Sequence, residues 1–315
     1  MKRAVVCGAG GFLGSHMVRR LKAEGYFVRG LSRTQPRYWK TEADEYWTCD
    51  LRQWHESLYN GFDEIYNFAG EVGGLGFIMD CANDATMLRN STLIDINVLD
   101  ACRAAKVPKL FFSSSACVYG HPKRSFAEHD AYPFEPINEF AWQKLFAERL
   151  YQAYAEDYGM NIKIARLFNT YGEGMTWQGG REKSVAALCR KIAQAKDGDI
   201  IEIWGSGEQM RSYTYVDDAI EGIRRLMNSD EQGPINLGCA EEVSIRDLIK
   251  AISDISGKMV FQTYTDGPTG MPRICADTTL LKAVLNWEPQ TSLREGLKTV
   301  YPWVKEQVDK AKEAA

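Results

Sequence analysis

Near the start of the chain, Gly8-Ala9-Gly10-Gly11-Phe12-Leu13-Gly14 sits between the apolar run Ala4–Cys7 and the amphipathic run Phe12–Ala23. Gly8, Gly11 and Gly14 recur at every third position. Glycines so spaced between a strand and a helix permit a tight turn and bring the backbone close to a pyrophosphate at the helix N-terminus. A bare strand-to-helix turn would use the same residues. The correct element on each side makes this a dinucleotide turn, with Gly8, Gly11, Phe12, Leu13 and Gly14 as its contact residues.

The rest of the first half repeats this rhythm. Short apolar runs at Phe27–Leu31, Glu64–Phe68 and Lys109–Phe112 do not alternate strictly, as expected of strands covered on both faces. Helical stretches separate them, notably Phe12–Ala23 and Thr86–Ala105. The fold class is therefore α/β, a doubly wound parallel sheet. Further on, the pattern predicts helices over Asn138–Tyr158, Arg181–Ala195, Val216–Met227, Ile245–Ile255, Thr278–Asn286 and Leu293–Glu313. Strands are predicted at Ile162–Leu167, Ile200–Trp204 and Pro234–Leu237. No linker interrupts the chain, so a smaller α/β domain should interleave with the first. The expected division is 1–167 plus about 211–240 for the dinucleotide domain, and about 168–210 plus 241–315 for a substrate domain.

The formal net charge of −4 has no basic block within it, which argues against a nucleic-acid partner. No apolar run approaches the roughly 20 residues that span a bilayer, and the N-terminus reads as a strand rather than a secretory signal. The eight cysteines are scattered without Cys-x-x-Cys pairs or metal-ligand spacing, so no metal and a reducing cytoplasm are expected. Most should be small buried hydrophobes; Cys117 alone has a neighbourhood that suggests chemistry. The four histidines share no motif, with His16 expected in the first helix and His121 in a loop.

The second strand of such a sheet commonly ends in an acid that holds the adenosine ribose. Here it ends in Ser32-Arg33, a hydroxyl and a guanidinium that would also suit a 2′-phosphate. NAD and NADP both remain open. Asp50-Leu51, after the third strand, could contact adenine, and Phe68-Ala69, after the fourth, should pass beneath the adenosine side.

Ser113-Ser114-Ser115-Ala116-Cys117 ends a strand at the carboxyl edge of the sheet, and Phe140 and Lys144 follow one helical turn apart. With the glycine triplet, this resembles the extended short-chain dehydrogenases, whose motif there reads Tyr-x-x-x-Lys. The resemblance implies a tyrosine that takes a proton from a sugar hydroxyl, its pKa lowered by Lys144 and its hydrogen bond shared with Ser115. Phe140 keeps the ring and cannot accept the proton. Either the tyrosine was deliberately changed to hold substrate unreacted, or the oxidation step was lost naturally; the intact partners favour the first.

Further stretches narrow the resemblance: Gly73-Gly74-Leu75-Gly76-Phe77-Ile78, Trp177-Gln178-Gly179-Gly180-Arg181-Glu182-Lys183 and Trp204-Gly205-Ser206-Gly207-Glu208-Gln209-Met210-Arg211-Ser212. Essentially the whole chain resembles the GDP-mannose 3,5-epimerases. The resemblance implies that Cys117 and Lys183 are an acid/base pair. It further implies that Gly74, Ser115, Asn169, Lys191, Gln209 and Arg211 bind the GDP-sugar. A family arginine falls at Ile274, where neighbouring Arg273 could substitute. The family's NAD-binding acid is replaced by Ser32. A tightly bound dinucleotide and a homodimer through two helices per subunit are also implied. Alternatives are a UDP-hexuronate 4-epimerase or dehydratase, or a non-catalytic dinucleotide sensor. A dehydratase usually carries Asp-Glu where Ala116-Cys117 stands, a 4-epimerase has no need of Cys117 and Lys183, and a degenerate sensor should not have kept them.

Overall fold

Apolar strands that are short and unpatterned need cover on both faces, and the architecture supplies it. The computed structural model describes residues 1–120, 125–133 and 135–314, so His121 lies outside the described residues. Six strands, β1 (Arg3–Cys7), β2 (Phe27–Ser32), β3 (Glu45–Thr48), β4 (Glu64–Asn67), β5 (Lys109–Ser115) and β6 (Ile162–Leu167), join the strand Pro234–Leu237 in one sheet. Its order, starting from Pro234–Leu237, is then β6-β5-β4-β1-β2-β3, with every pairing parallel. The direction of winding reverses between β1 and β4, where doubly wound sheets open a crevice at their carboxyl ends.

The helices are α1 (Phe12–Ala23), α2 (Leu75–Ile78), α3 (Asp84–Ala104), α4 (Glu139–Tyr158), α5 (Ser184–Gln194), α6 (Val216–Met227), α7 (Ile245–Ser256), α8 (Thr279–Leu285) and α9 (Leu293–Glu313). Successive side chains of β1 point to opposite faces. Ala4 and Val6 enter a core with Met17, Ile223 and Leu281 from α1, α6 and α8. Val5 and Cys7 enter another with Val98, Leu99 and Tyr151 from α3 and α4. A third cluster, built on Leu188, Ile192, Leu248, Ile252, Leu297 and Val304, unites α5, α7 and α9. Beside it run short sheets: Met210–Ser212 between Glu242–Ser244 and Arg273–Ile274, and Ile200–Trp204 paired with Phe261–Thr265.

One expectation needs correction. The helix predicted from Arg181 starts at Ser184, with Lys183 as an extended N-cap residue. Gly74 N donates to Arg181 O at 3.0 Å, a distant pairing that holds the segment out of the helix. His16 lies in α1 as expected and is buried. Of the cysteines, Cys7, Cys102, Cys189 and Cys275 are buried, Cys81 is exposed, and the others are intermediate; all are free thiols. No helix among the described residues is long and apolar enough to cross a membrane.

A buried ion pair anchors α4 to the sheet. Arg166 on β6 donates from Nε and Nη2 to Glu148 at 2.9 and 2.6 Å, and from Nη1 to Tyr119 Oη and Glu128 O. Both side chains are essentially inaccessible. Arg166→Met would strand an ionised Glu148 in the core, so unfolding in denaturant should show a loss of about 3–5 kcal/mol. A loss below ~1 kcal/mol would mean that Glu148 is already satisfied by Ser114 Oγ, which donates to it at 2.5 Å.

Candidate active site

The crevice between β1 and β4 is shaped by backbone proximity. A Cβ at Gly14 would lie 2.2 Å from Gly8 O, and one at Gly10 would lie 2.2 Å from Thr34 O and 2.9 Å from Ser32 Oγ. The turn thus closes tightly against the end of β2, and only glycine fits at either place. A Cβ at Gly11 would meet nothing within 4 Å except Gly8 O at 3.2 Å, so that side of the turn faces open space at the start of α1. This cradle fits a dinucleotide pyrophosphate, with Phe12 and Leu13 supplying amides at the helix N-terminus. Ser32 and Arg33 flank it at the end of β2. Phe68 and Ala69 pass beneath, with Phe68 N donating to Cys7 O. Asp50 and Leu51 lie just past β3, and Arg52 clamps Asp50 in a bidentate pair that lowers its carboxyl to about 2. Arg33 is not free: its Nη2 donates to Glu71 at 3.1 Å.

The end of β5 brings the next group of residues. Ser115 Oγ accepts from Cys117 N at 3.2 Å, which turns the chain into a short 3₁₀ segment and presents the thiol. Cys117 packs against an apolar cluster of Phe77, Ile78, Met87 and Phe140. Phe140 and Lys144 share one face of α4, whose start is capped by Asn138 accepting from Ala141 N at 2.9 Å. Lys144 Nζ donates to Ser113 O at 2.9 Å and lies 6.0 Å from the Phe140 ring centroid. Burial lowers the Lys144 pKa, opposed by Asp95, Glu148 and Cys117.

Lys183 stands at the N-cap of α5. Gly74 lies so close to this segment that a Cβ there would sit 2.1 Å from Glu182 O, so the glycine lets two backbones touch and carries Lys183 to the crevice. Solvent reaches the Lys183 side chain, yet protein around the ammonium depresses its pKa by desolvation, with Cys117 pulling the other way. Both observations fit a lysine lining a cleft. Arg211 is buried and, among the described residues, donates only to the carbonyls of Met210 and Thr269. Desolvation lowers its pKa too, again opposed by Tyr213, Cys275 and Cys117. Cys117 therefore lies within electrostatic reach of Lys144, Lys183 and Arg211.

The remaining predicted contacts are placed as follows. Gln209 donates to Trp204 O at 3.3 Å, while its Oε1 is buried without a partner among the described residues. Asn169, at φ 26°, donates to Ser212 O. Lys191 donates to Glu202 O at 2.5 Å. Arg273 pairs with Glu242, and Ile274, beside Arg211 in the sheet, is buried. Tyr119, not one of the predicted contacts, is wholly buried and hydrogen-bonded to Asn236 and Arg166.

Asp95 was not singled out from the sequence. It lies on the buried face of α3 and accepts from Gln143, Asn67 and Tyr151. The signal was present: a carboxylate beside Asn90 and Ser91 at the helical period of Met87, Ile94 and Val98. Burial raises its pKa to about 6, although Lys144 opposes this. The folded form therefore holds a proton that the unfolded chain releases near pH 4. Stability from this group falls by on the order of 3 kcal/mol as pH rises from 4 to 6. Denaturant titrations should show that slope in the wild type and not in Asp95→Asn; equal slopes would sink the assignment.

A parallel sheet with a glycine cradle at its switch point, near which Lys183 and Arg211 interact electrostatically with Cys117, has the form of a dinucleotide-dependent enzyme. The chain belongs to the NAD dependent epimerase/dehydratase family, whose model matches residues 4–238. It is 37% identical over 319 residues to GDP-mannose 3,5-epimerase 1 of Oryza sativa subsp. japonica, covering 98% of this chain and 83% of that one. It is 31% identical over 320 residues to UDP-glucuronic acid decarboxylase 1 of Xenopus tropicalis, covering 97% and 73%. In fold it is similar to UDP-glucose 4-epimerase of Thermotoga maritima, with a TM-score of 0.87 at 22% identity over 97% of this chain and 99% of that one. Its relatives act on sugar nucleotides, and its cofactor is a nicotinamide dinucleotide.

Proposed function

We propose that this chain epimerises GDP-D-mannose at C3 and C5, to GDP-L-galactose and GDP-L-gulose, and that Phe140 impairs its oxidation step. The observation that carries the reading is that Cys117 lies within electrostatic reach of Lys183, while neither forms an ion pair among the described residues. Similarity to the GDP-mannose 3,5-epimerases supports the substrate. Arg211, buried with only carbonyl partners, suits a diphosphate, and the orphaned Gln209 Oε1 offers an acceptor to the nucleotide.

A nicotinamide dinucleotide held at the Gly8–Gly14 turn would supply reversible hydride acceptance at C4 of the sugar. The resulting C4 ketone acidifies the hydrogens on C3 and C5. Cys117, as thiolate, takes the proton from carbon, and the electron pair moves into the carbonyl as an enolate. Lys183, as ammonium, delivers a proton to the opposite face, which inverts the centre. Burial that lowers the lysine's pKa makes it a readier acid. Oxidation itself needs a base at the C4 hydroxyl. Phe140 supplies none, while Lys144 Nζ lies 6.0 Å from its ring centroid.

In deuterated water, Phe140→Tyr protein given GDP-mannose should incorporate deuterium at C5 and C3, read by proton NMR. Equal inertness towards GDP-mannose and UDP-glucose would overturn the reading.

We also propose that the chain forms a homodimer in which a second copy covers α4. Trp142 and Phe146 stand one turn apart on its outer face, 41% and 50% exposed, a pair of large apolar groups that water disfavours. Sedimentation should show a dimer for the wild type and a monomer for Phe146→Asp. A wild-type monomer would reject the pairing.

A further inference from the structure

The end of β2 carries no acid, yet the neighbouring arginine is already engaged. Arg33 donates from Nη2 to Glu71 Oε1 at 3.1 Å. Glu71 is 5% exposed, and its second oxygen accepts from Arg181 Nη1 at 3.1 Å. Asn90 Nδ2 approaches Oε1 at 3.4 Å, and the Glu71 backbone N donates to Ser91 Oγ. Both carboxylate oxygens and the backbone are thus tied down, while the two arginines stay about half exposed at 52% and 45%. The turn after β4 fixes the carboxylate, and Arg33 comes to it.

An arginine directly after β2, with serine before it in place of an acid, would ordinarily take a 2′-phosphate through its planar fork. Here a 2′-phosphate that took Arg33 would have to compete for it with Glu71, which already accepts from its Nη2. That would leave a buried carboxylate with one guanidinium fewer and a new anion nearby. The ribose hydroxyl of the unphosphorylated dinucleotide leaves the pair intact. We propose that Glu71 selects NAD over NADP by holding Arg33, doing from β4 what an acid at the end of β2 would otherwise do. The inference rests on the reading that the glycine turn takes a nicotinamide dinucleotide.

The test is titration of the full-length protein, stripped of dinucleotide, with NADH and with NADPH, followed by nucleotide fluorescence. The wild type should favour NADH. Glu71→Gln should release Arg33 and shift the affinity ratio towards NADPH by ~10-fold or more, the worth of one charge-assisted contact. Adding Arg33→Ala to it should erase the gain. Arg33→Ala alone should leave the ratio within about twofold of wild type, because the guanidinium is already committed. This exposed substitution decides the matter if Glu71→Gln fails to fold. An unmoved ratio in Glu71→Gln, or a ~10-fold loss of NADPH in Arg33→Ala, would overturn the proposal. Loss of the proposal alone leaves NADH binding intact; failure of the wild type to bind either nucleotide removes the dinucleotide reading with it.

Discussion

Phe140→Tyr should convert GDP-mannose about 10²–10⁴-fold faster than the chain carrying phenylalanine, the range for one positioned general base. The change adds a single oxygen to a ring already fixed on the first turn of α4. That ring lies in a cluster with Phe77, Ile78 and Met87, against which Cys117 packs. The Lys144 ammonium, 6.0 Å from the ring centroid, would stabilise a phenolate and lower the new tyrosine's pKa. Lys144 is itself held by Ser113 O, so the cation is positioned before the hydroxyl arrives. Product formation followed by NMR checks the result. Equal rates in the two proteins would show that Phe140 does not occupy the base position.

Cys117→Ser, placed in the Phe140→Tyr background, should lower deuterium incorporation at C5 and C3 by about 10²–10⁴-fold while the C4 hydroxyl is still oxidised. A serine hydroxyl fills nearly the same space but is not ionised near neutral pH, whereas a thiol beside cations can be. Lys183 and Arg211 both interact with Cys117 electrostatically. Two readouts separate the roles: transient reduction of the nicotinamide reports oxidation, and deuterium reports proton removal from carbon. Exchange at the unsubstituted rate would take Cys117 out of the mechanism. Loss of both signals together would assign it to substrate binding.

The limits of legibility follow from the range of the forces involved. α1 and α6 run over the residues that the apolar period marks, because neighbours along the helix set that period. α5 begins three residues later than Arg181, because Gly74 binds the Arg181 carbonyl from far along the chain. Cys117, Lys183 and Lys144 stood out by motif. Glu71 and Asp95 did not, since a glutamate after a strand and an aspartate in a helix look ordinary until their partners surround them. Arg33 shows the same gap: its residue type suggested a phosphate site, and only the fold revealed a carboxylate already holding it.

By itself, the sequence determined the parallel doubly wound sheet, the dinucleotide turn at Gly8–Gly14, and the resemblance to GDP-mannose 3,5-epimerases, including the phenylalanine at 140. Those features rest on local period, on glycines that a turn demands, and on motif identity. Tertiary structure alone decided that the Lys183 segment packs against Gly74, that Glu71 pairs with Arg33, and that Asp95 lies buried within electrostatic reach of Lys144. Electrostatic effects of that kind depend on distance and on exclusion of water, and both exist only once strands and helices remote in the chain have packed together.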